Sequence, residues 1–319
     1  MDGLPNILGL QHTPTIQRTL KAPIDCVGVG LHSGRRVRLG LLPAEAGSGI
    51  VFRRTDLGAD IPARYDHVID TRLCTMLGLP GQPEARVGTV EHVMAALAGA
   101  GVHNAVVEID GPELPIHDGS AESVLFLIDC AGIAEQAELV PAIEVLRPVR
   151  VEHGEAFAEL RPMSHAFDMA LSIAFDAAAI GRQAFSLRLT PESFRAELAR
   201  ARTFTLAGEV AQMQALGLAR GGSLDNAVVV DGPNVLNPGG LRMRDEFVRH
   251  KLLDAVGDLA LAGAPLLGRF LAHRSGHALN NRLLHALFAD AANWRFRSAA
   301  TEAMPPRGAT WDSAERAAA

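Results

Sequence analysis

Three cysteines in 319 residues, Cys26, Cys74 and Cys130, exclude a disulfide framework. They show neither a C-x-x-C spacing nor an even count and read as reduced thiols of a cytoplasmic protein. No uncharged apolar run approaches the ~18 residues a membrane helix needs, so no integral membrane segment is expected. The opening residues M-D-G-L-P-N-I-L-G-L lack a basic region followed by an apolar core, and no secretory leader is expected there. Basic charge is not in excess: 30 Lys and Arg stand against 36 Asp and Glu. That balance excludes a bulk nucleic-acid binder while leaving room for a local basic pocket. There is no internal repeat and no exposed heptad, and a monomer is expected.

What remains is a globular composition, 48% hydrophobic, with enough length for two ordinary domains. Residues 1–16 carry Pro5 and Pro14 without a period and read as a tail, and 296–319 read as another. Between them lie two blocks, 17–140 and 141–295, each with strands first and helices after. Segregated strands and helices imply an α+β fold rather than a doubly wound parallel sheet. In the first block Val37, Leu39 and Leu41 alternate as a strand, and Thr89 is placed to cap a helix running to about Leu97. In the second, strands are expected over 143–151, 156–160, 169–175 and 185–189. Thr190 before Pro191 opens a helix to about Ala201. The G-V-G-L-H-S-G of residues 28–34 matches neither phosphate-loop spacing and reads as a glycine-rich turn.

The stretch 244–263 carries the chemistry. Leu252, Leu253, Val256 and Leu259 form one helical stripe, and at ~100° per residue His250, Asp254 and Asp258 form a second. Two aspartates one turn apart repel, so a cation belongs beside them. A divalent metal bound by His250 and Asp254 is one reading, and a solvated face screened by Arg249 and Lys251 is the other. A metal hydrolase also needs a third ligand and a base, and the adjacent Glu91 and His92 offer both; taken alone, such a pair is more often a surface pair. His277 precedes a helix, where Asp258 would orient and protonate it; a capping histidine is the alternative. Thr203 offers a hydroxyl to an oxyanion or merely a turn. The Gly221–Gly222 loop allows a ligand close to backbone, and Lys251 and Arg274 are cations for substrate oxygens. His32, His103, His117 and His273 have no comparable partners.

At these residues the sequence resembles the UDP-3-O-acyl-N-acetylglucosamine deacetylases, zinc amidases of lipid A synthesis in Gram-negative bacteria. The matching blocks are Q-R-T-L-K at 17–21, G-V-G-L-H-S-G at 28–34, T-V-E-H at 89–92 and P-I-H-D-G-S-A at 115–121. They continue with R-A-R-T-F at 200–204, G-G-S-L-D-N-A-V-V-V at 221–230, D-E-F-V-R-H-K-L-L-D-A-V-G-D-L at 245–259 and S-G-H-A-L-N-N at 275–281.

The resemblance implies one Zn2+ per chain on His92, His250 and Asp254, with Fe2+ as an alternative in cells. It implies Glu91 as base, His277 paired with Asp258 as second catalytic group, and Thr203 at the oxyanion. Phe204, Lys251, Arg274 and Gly222 are expected to contact a UDP-sugar that carries an acyl chain. The fold it implies is two α+β sandwiches facing each other across the site, with an insert in the second that shapes an apolar passage. Asn226 stands where a cysteine is frequent, Arg274 where a lysine is common, and 175–178 replace a frequent F-D-H-P. None of these touches the expected metal or base. A deacetylase of another N-acyl amino sugar, or a non-catalytic binder of the UDP-sugar or its acyl chain, are the alternatives.

Overall fold

Strand periodicity organises the first half of the chain. After β1 (Ile16–Leu20) and β2 (Ile24–Val29), β3 (Arg36–Pro43) buries Val37, Leu39 and Leu41 and turns Arg36 and Arg38 outward. Strands β4 (Ile50–Arg54), β5 (Ala59–Pro62), β6 (Val68–Asp70), β7 (Met76–Leu79) and β8 (Gln82–Val87) follow. Helix α1 (Glu91–Ala100), β9 (Ala105–Ile109), α2 (Glu122–Ala131) and β10 (Ile133–Leu139) complete this half. The main sheet has the order β2-β3-β9-β4-β5 and is antiparallel except where β4 runs with β9. Strands β6-β7-β8 form a second sheet, and β1 pairs β10.

The second half holds β11 (Ala142–Val145), β12 (Val149–His153), β13 (Ala156–Arg161), β14 (Phe167–Ala174) and β15 (Arg182–Arg188). Then come α3 (Pro191–Ser193), β16 (Phe204–Leu206), α4 (Ala207–Ala215), β17 (Val228–Asp231) and β18 (Asn234–Val235). Helix α5 (Glu246–Ala260), β19 (Leu266–His273), α6 (His277–Phe288) and β20 (Trp294–Arg297) close it. Strand β19 is the hub of a seven-stranded sheet, antiparallel to β13 and parallel to β14 and β11. The computed structural model describes residues 15–297, and within them this is a mixed α+β chain of five sheets and six helices. Among the described residues no helix is long and apolar enough to cross a membrane.

Among the described residues no strand of the first half pairs with one of the second. The halves meet through helices. α1 crosses α5 so closely that a Cβ on Gly257 would overlap the Glu91 carbonyl, and only glycine permits that approach. Val93, Met94 and Leu97 of α1 join Leu252, Leu253 and Val256 of α5 in one continuous core. A second junction is aromatic. Tyr65 stacks on Phe288 of α6 with ring centroids 4.7 Å apart, and Trp294 of β20 meets the same Phe288 edge-on at 5.1 Å.

Several sequence expectations need correction. The strand expected over 143–151 is two, β11 and β12, because Pro148 interrupts the ladder between them. Thr190 does cap α3, with a reciprocal bond to Ser193, but the helix widens into a π-turn over Phe194–Leu198 and stops short of Ala201. Thr89 caps nothing. The residue before α1 is Val90, and Thr89 itself sits at φ 59°. Strands β5 to β8 fall in a stretch the periodicity did not assign. Residues 296 and 297, read as tail, belong to β20, Ile16 begins β1, and the Thr15 carbonyl accepts from Val140 N–H at 2.8 Å; the rest of the expected tails lies outside the described residues.

Candidate active site

Helix α5 is buried along both stripes. Its apolar stripe enters the core, and Glu246, His250, Asp254 and Asp258 are buried too, so the second stripe is not a solvated face. Buried charge must be matched by partners, and each finds one. Glu246 receives the Arg202 backbone N–H at 3.0 Å and its guanidinium at 2.8 Å, which pins residues 200–204 against α5. Ala201 then offers its carbonyl to His250 Nδ1 at 3.0 Å. A ring that donates from Nδ1 turns the Nε2 lone pair toward Asp254.

His92 arrives from the first turn of α1, carried there by the α1–α5 crossing. Asp254 Oδ1 lies 3.5 Å from His92 Nε2 and 3.3 Å from His250 Nε2, and the two rings stand nearly perpendicular. One ligand atom from each residue falls within 4.8 Å of the others. Lys251 Nζ donates to the other oxygen, Oδ2, at 2.7 Å. Among the described residues, Oδ1 is buried without any hydrogen-bond partner. An orphaned carboxylate oxygen between two imidazole nitrogens fits a divalent cation.

The protonation states agree with that use. Burial pushes His250 down to about 4, which leaves its ring neutral near pH 7. Burial opposes ionisation of Asp254, but the charges of His250, when protonated, and of Lys251 hold it well below the usual carboxylate range. Neutral imidazoles and an ionised carboxylate are what a metal requires. Two histidines and one aspartate accept zinc, and also ferrous iron or cobalt.

Beside this cluster lie two further carboxylates and a histidine. Burial pushes Glu91 upward, against the pull of a charged His277. Its Oε1 lies 3.9 Å from His277 Nε2. On the other edge of the same ring, Nδ1 meets Asp258 Oδ2 at 2.9 Å. Burial alone would deprotonate His277, but Asp258 and then Glu91 outweigh it and hold the ring up to about 9. The imidazolium is therefore the neutral-pH form.

Thr203 lines the cleft with its backbone fixed on both sides, N–H to Gly119 and carbonyl to Val228 N–H, each 2.8 Å. Phe204 and Lys251 line it as well, with Phe204 edge-on to Phe247. Arg274 does not reach the His92–His250–Asp254 cluster. It pairs with Glu155 at 3.1 Å and lines an adjoining hollow with Phe175 and Lys251. Gly222 is not among the cleft residues, and its backbone N–H donates to the Ala219 carbonyl at 3.2 Å.

Three residues of this region were not singled out from the sequence, although His32 and Asn280 stand in the matching blocks 28–34 and 275–281. His32 lines the cleft with both ring nitrogens buried and, among the described residues, unpartnered, and burial lowers its pKa. Asn280 donates to Asp258 Oδ2 at 2.9 Å, and Thr75 touches both Glu91 and Asp258. None carries a pattern that periodicity or charge would detect.

The family model described as UDP-3-O-acyl N-acetylglycosamine deacetylase (LpxC) matches residues 17–289. A UDP-3-O-acyl-N-acetylglucosamine deacetylase of Acidithiobacillus ferrooxidans is 48% identical over 293 residues, covering 91% of this chain and 95% of that one. One from Phenylobacterium zucineum is 50% identical over 289 residues, 90% of this chain and 98% of its own. One from Myxococcus xanthus is 49% identical over 276 residues, with coverages of 86% and 87%. A match this long, at this identity, spans every residue of the cleft, and the chain belongs to the UDP-3-O-acyl N-acetylglycosamine deacetylase family.

Proposed function

We propose that the chain removes the acetyl group from UDP-3-O-(3-hydroxyacyl)-N-acetylglucosamine, giving the free 2-amine and acetate in lipid A biosynthesis. The observation that carries this reading is the orphaned Asp254 Oδ1 between two histidines, with a carboxylate and an imidazolium alongside. His92, His250 and Asp254 would hold a divalent ion, Zn2+ in our reading, that supplies Lewis acidity toward the acetamide and toward water.

The chain's own groups do the proton work. Glu91, with its pKa raised by burial, accepts a proton from the water that attacks the acetamide carbon. Protonated His277 faces the oxygen that gains charge, and the Thr203 hydroxyl adds a second donor. His277 or Glu91 then delivers a proton to the departing amine. Asp258 acts through His277, fixing its ring and its charge.

Recognition divides between two surfaces. Lys251, Arg274 and Phe175 line the hollow we assign to the UDP-sugar. Phe204 and Leu206 lead from the cleft into the β16–α4–β17 segment, where Leu216 and Leu224 are exposed; we assign the acyl chain to that side. Gly222, on the same segment, contributes backbone only. We further propose two α+β sandwich domains, 17–140 and 141–295, facing each other across the cleft. The unmixed sheets support that division.

The test is acetate release from the acylated UDP-N-acetylglucosamine by wild type and Glu91→Ala, with bound metal measured in both. Wild type should carry about one zinc and turn over, and Glu91→Ala should keep the metal while losing about 100-fold or more in kcat. Metal without turnover of this substrate would redirect the reading to another N-acyl amino sugar. Substrate affinity that Glu91→Ala leaves unchanged, with no acetate released by wild type, would make the chain a binder.

A further inference from the structure

The acid and base of this site are not independent neighbours. Thr75, in the loop before β7, is buried and makes three bonds at once. Its carbonyl accepts the Val90 N–H at 3.3 Å, which fixes it to the start of α1. Its backbone N–H donates to Glu91 Oε2 at 3.0 Å. Its hydroxyl donates to Asp258 Oδ1 at 2.5 Å.

Each carboxylate is thereby held by one oxygen and left free at the other. The free oxygen of Glu91, Oε1, lies 3.9 Å from His277 Nε2, and that of Asp258, Oδ2, lies 2.9 Å from His277 Nδ1. Asn280 completes Oδ2 from the far side and is itself held by Ser275 at 2.7 Å. With the Thr75 hydroxyl in place, every oxygen of Asp258 is satisfied. Without it, Oδ1 is a buried acceptor with no donor, and the carboxylate is free to rotate away from the imidazole.

We propose that Thr75 is a positioning residue that sets Glu91 and the Asp258–His277 pair in one register, across two segments 183 residues apart. It touches no reacting atom. Its backbone N–H aims the base, and its hydroxyl aims the residue that orients the acid. The inference rests on the roles proposed above for Glu91 and His277.

Thr75→Val keeps the shape and the N–H and removes only the hydroxyl, whereas Thr75→Ser keeps both donors. We expect Thr75→Val to lose about 10–100-fold in kcat, with KM within about two-fold and metal content unchanged. Thr75→Ser should return most of that loss. Equal losses in the two variants, or a loss that follows KM or the bound metal, would overturn the proposal.

A second measurement is independent of the substrate. In a denaturation cycle with Asp258→Asn, the midpoint shifts of Thr75→Val and Asp258→Asn should be less than additive; additive shifts overturn the bridge. Should wild type release no acetate, the functional reading falls and this cycle alone decides on Thr75.

Discussion

His277 lies between two carboxylates, with Asp258 2.9 Å from Nδ1 and Glu91 3.9 Å from Nε2. The two carboxylates make an anionic environment that keeps the ring cationic, whereas burial alone would strip the proton. The pH consequence has a definite sign. The form that donates is the protonated one, so its contribution persists from neutral pH up to about 9 and is lost above. Asp258→Asn removes the strongest raising charge. The alkaline limb of kcat/KM should then move down toward an ordinary histidine value, and kcat should fall about 10–100-fold at pH 8. A limb that stays in place in that variant would remove His277 as the group that sets it. The same raised pKa favours the folded chain fully at acidic pH, below the unfolded histidine value, and that contribution is lost as pH rises through about 9.

At the scale of elements, the site depends on how near α1 approaches α5. Gly257→Ala would place a methyl against the Glu91 carbonyl and push the helices apart. We expect about 1–3 kcal/mol of lost stability, read from the denaturant midpoint, and weaker metal retention because His92 moves away from His250 and Asp254. Unchanged metal content in a destabilised Gly257→Ala would show that the crossing supports the fold but not the ligand set.

Helix α5 was readable because two stripes at helical spacing cannot be a strand, and because paired aspartates demand a cation. His92, His250, Asp254, Glu91 and His277, which the spacing and the family resemblance singled out, lie side by side in the structure, and the roles of ligand, base and acid are those we propose for them. The parts that were not readable share a physical cause. Thr75 bonds through a backbone N–H, which every residue but proline possesses, and through one hydroxyl in a loop that has no period. Thr89 looked like a helix cap, yet it is a β-branched residue at φ 59°, with its hydroxyl 3.5 Å from Glu113, and that strain has no sequence signature. The β6-β7-β8 sheet was missed because its strands are three to six residues long and irregular in register.

Across the whole molecule, the ligand cluster joins the two halves at a point where their sheets do not. His92 belongs to the first half, and His250 and Asp254 to the second. A bound ion stabilises only the state in which all three meet, so its removal acts on the entire fold. At free metal a thousandfold above Kd this linkage is worth roughly 4 kcal/mol. Chelation should therefore lower the unfolding midpoint, added zinc should restore it, and His92→Ala should abolish most of that response. A midpoint indifferent to chelator, in protein shown to have lost its metal, would mean that the halves hold together without the cluster.

The aromatic junction has an optical consequence. Tyr65 is the chain's one tyrosine, and Trp294 is one of only two tryptophans. Phe288 lies between them, stacked on the first ring and edge-on to the second. We expect part of the light absorbed by Tyr65 to be passed to Trp294 across the boundary between the halves. The ratio of tyrosine-excited to directly excited indole emission becomes a built-in gauge of whether that boundary is closed, with no label attached.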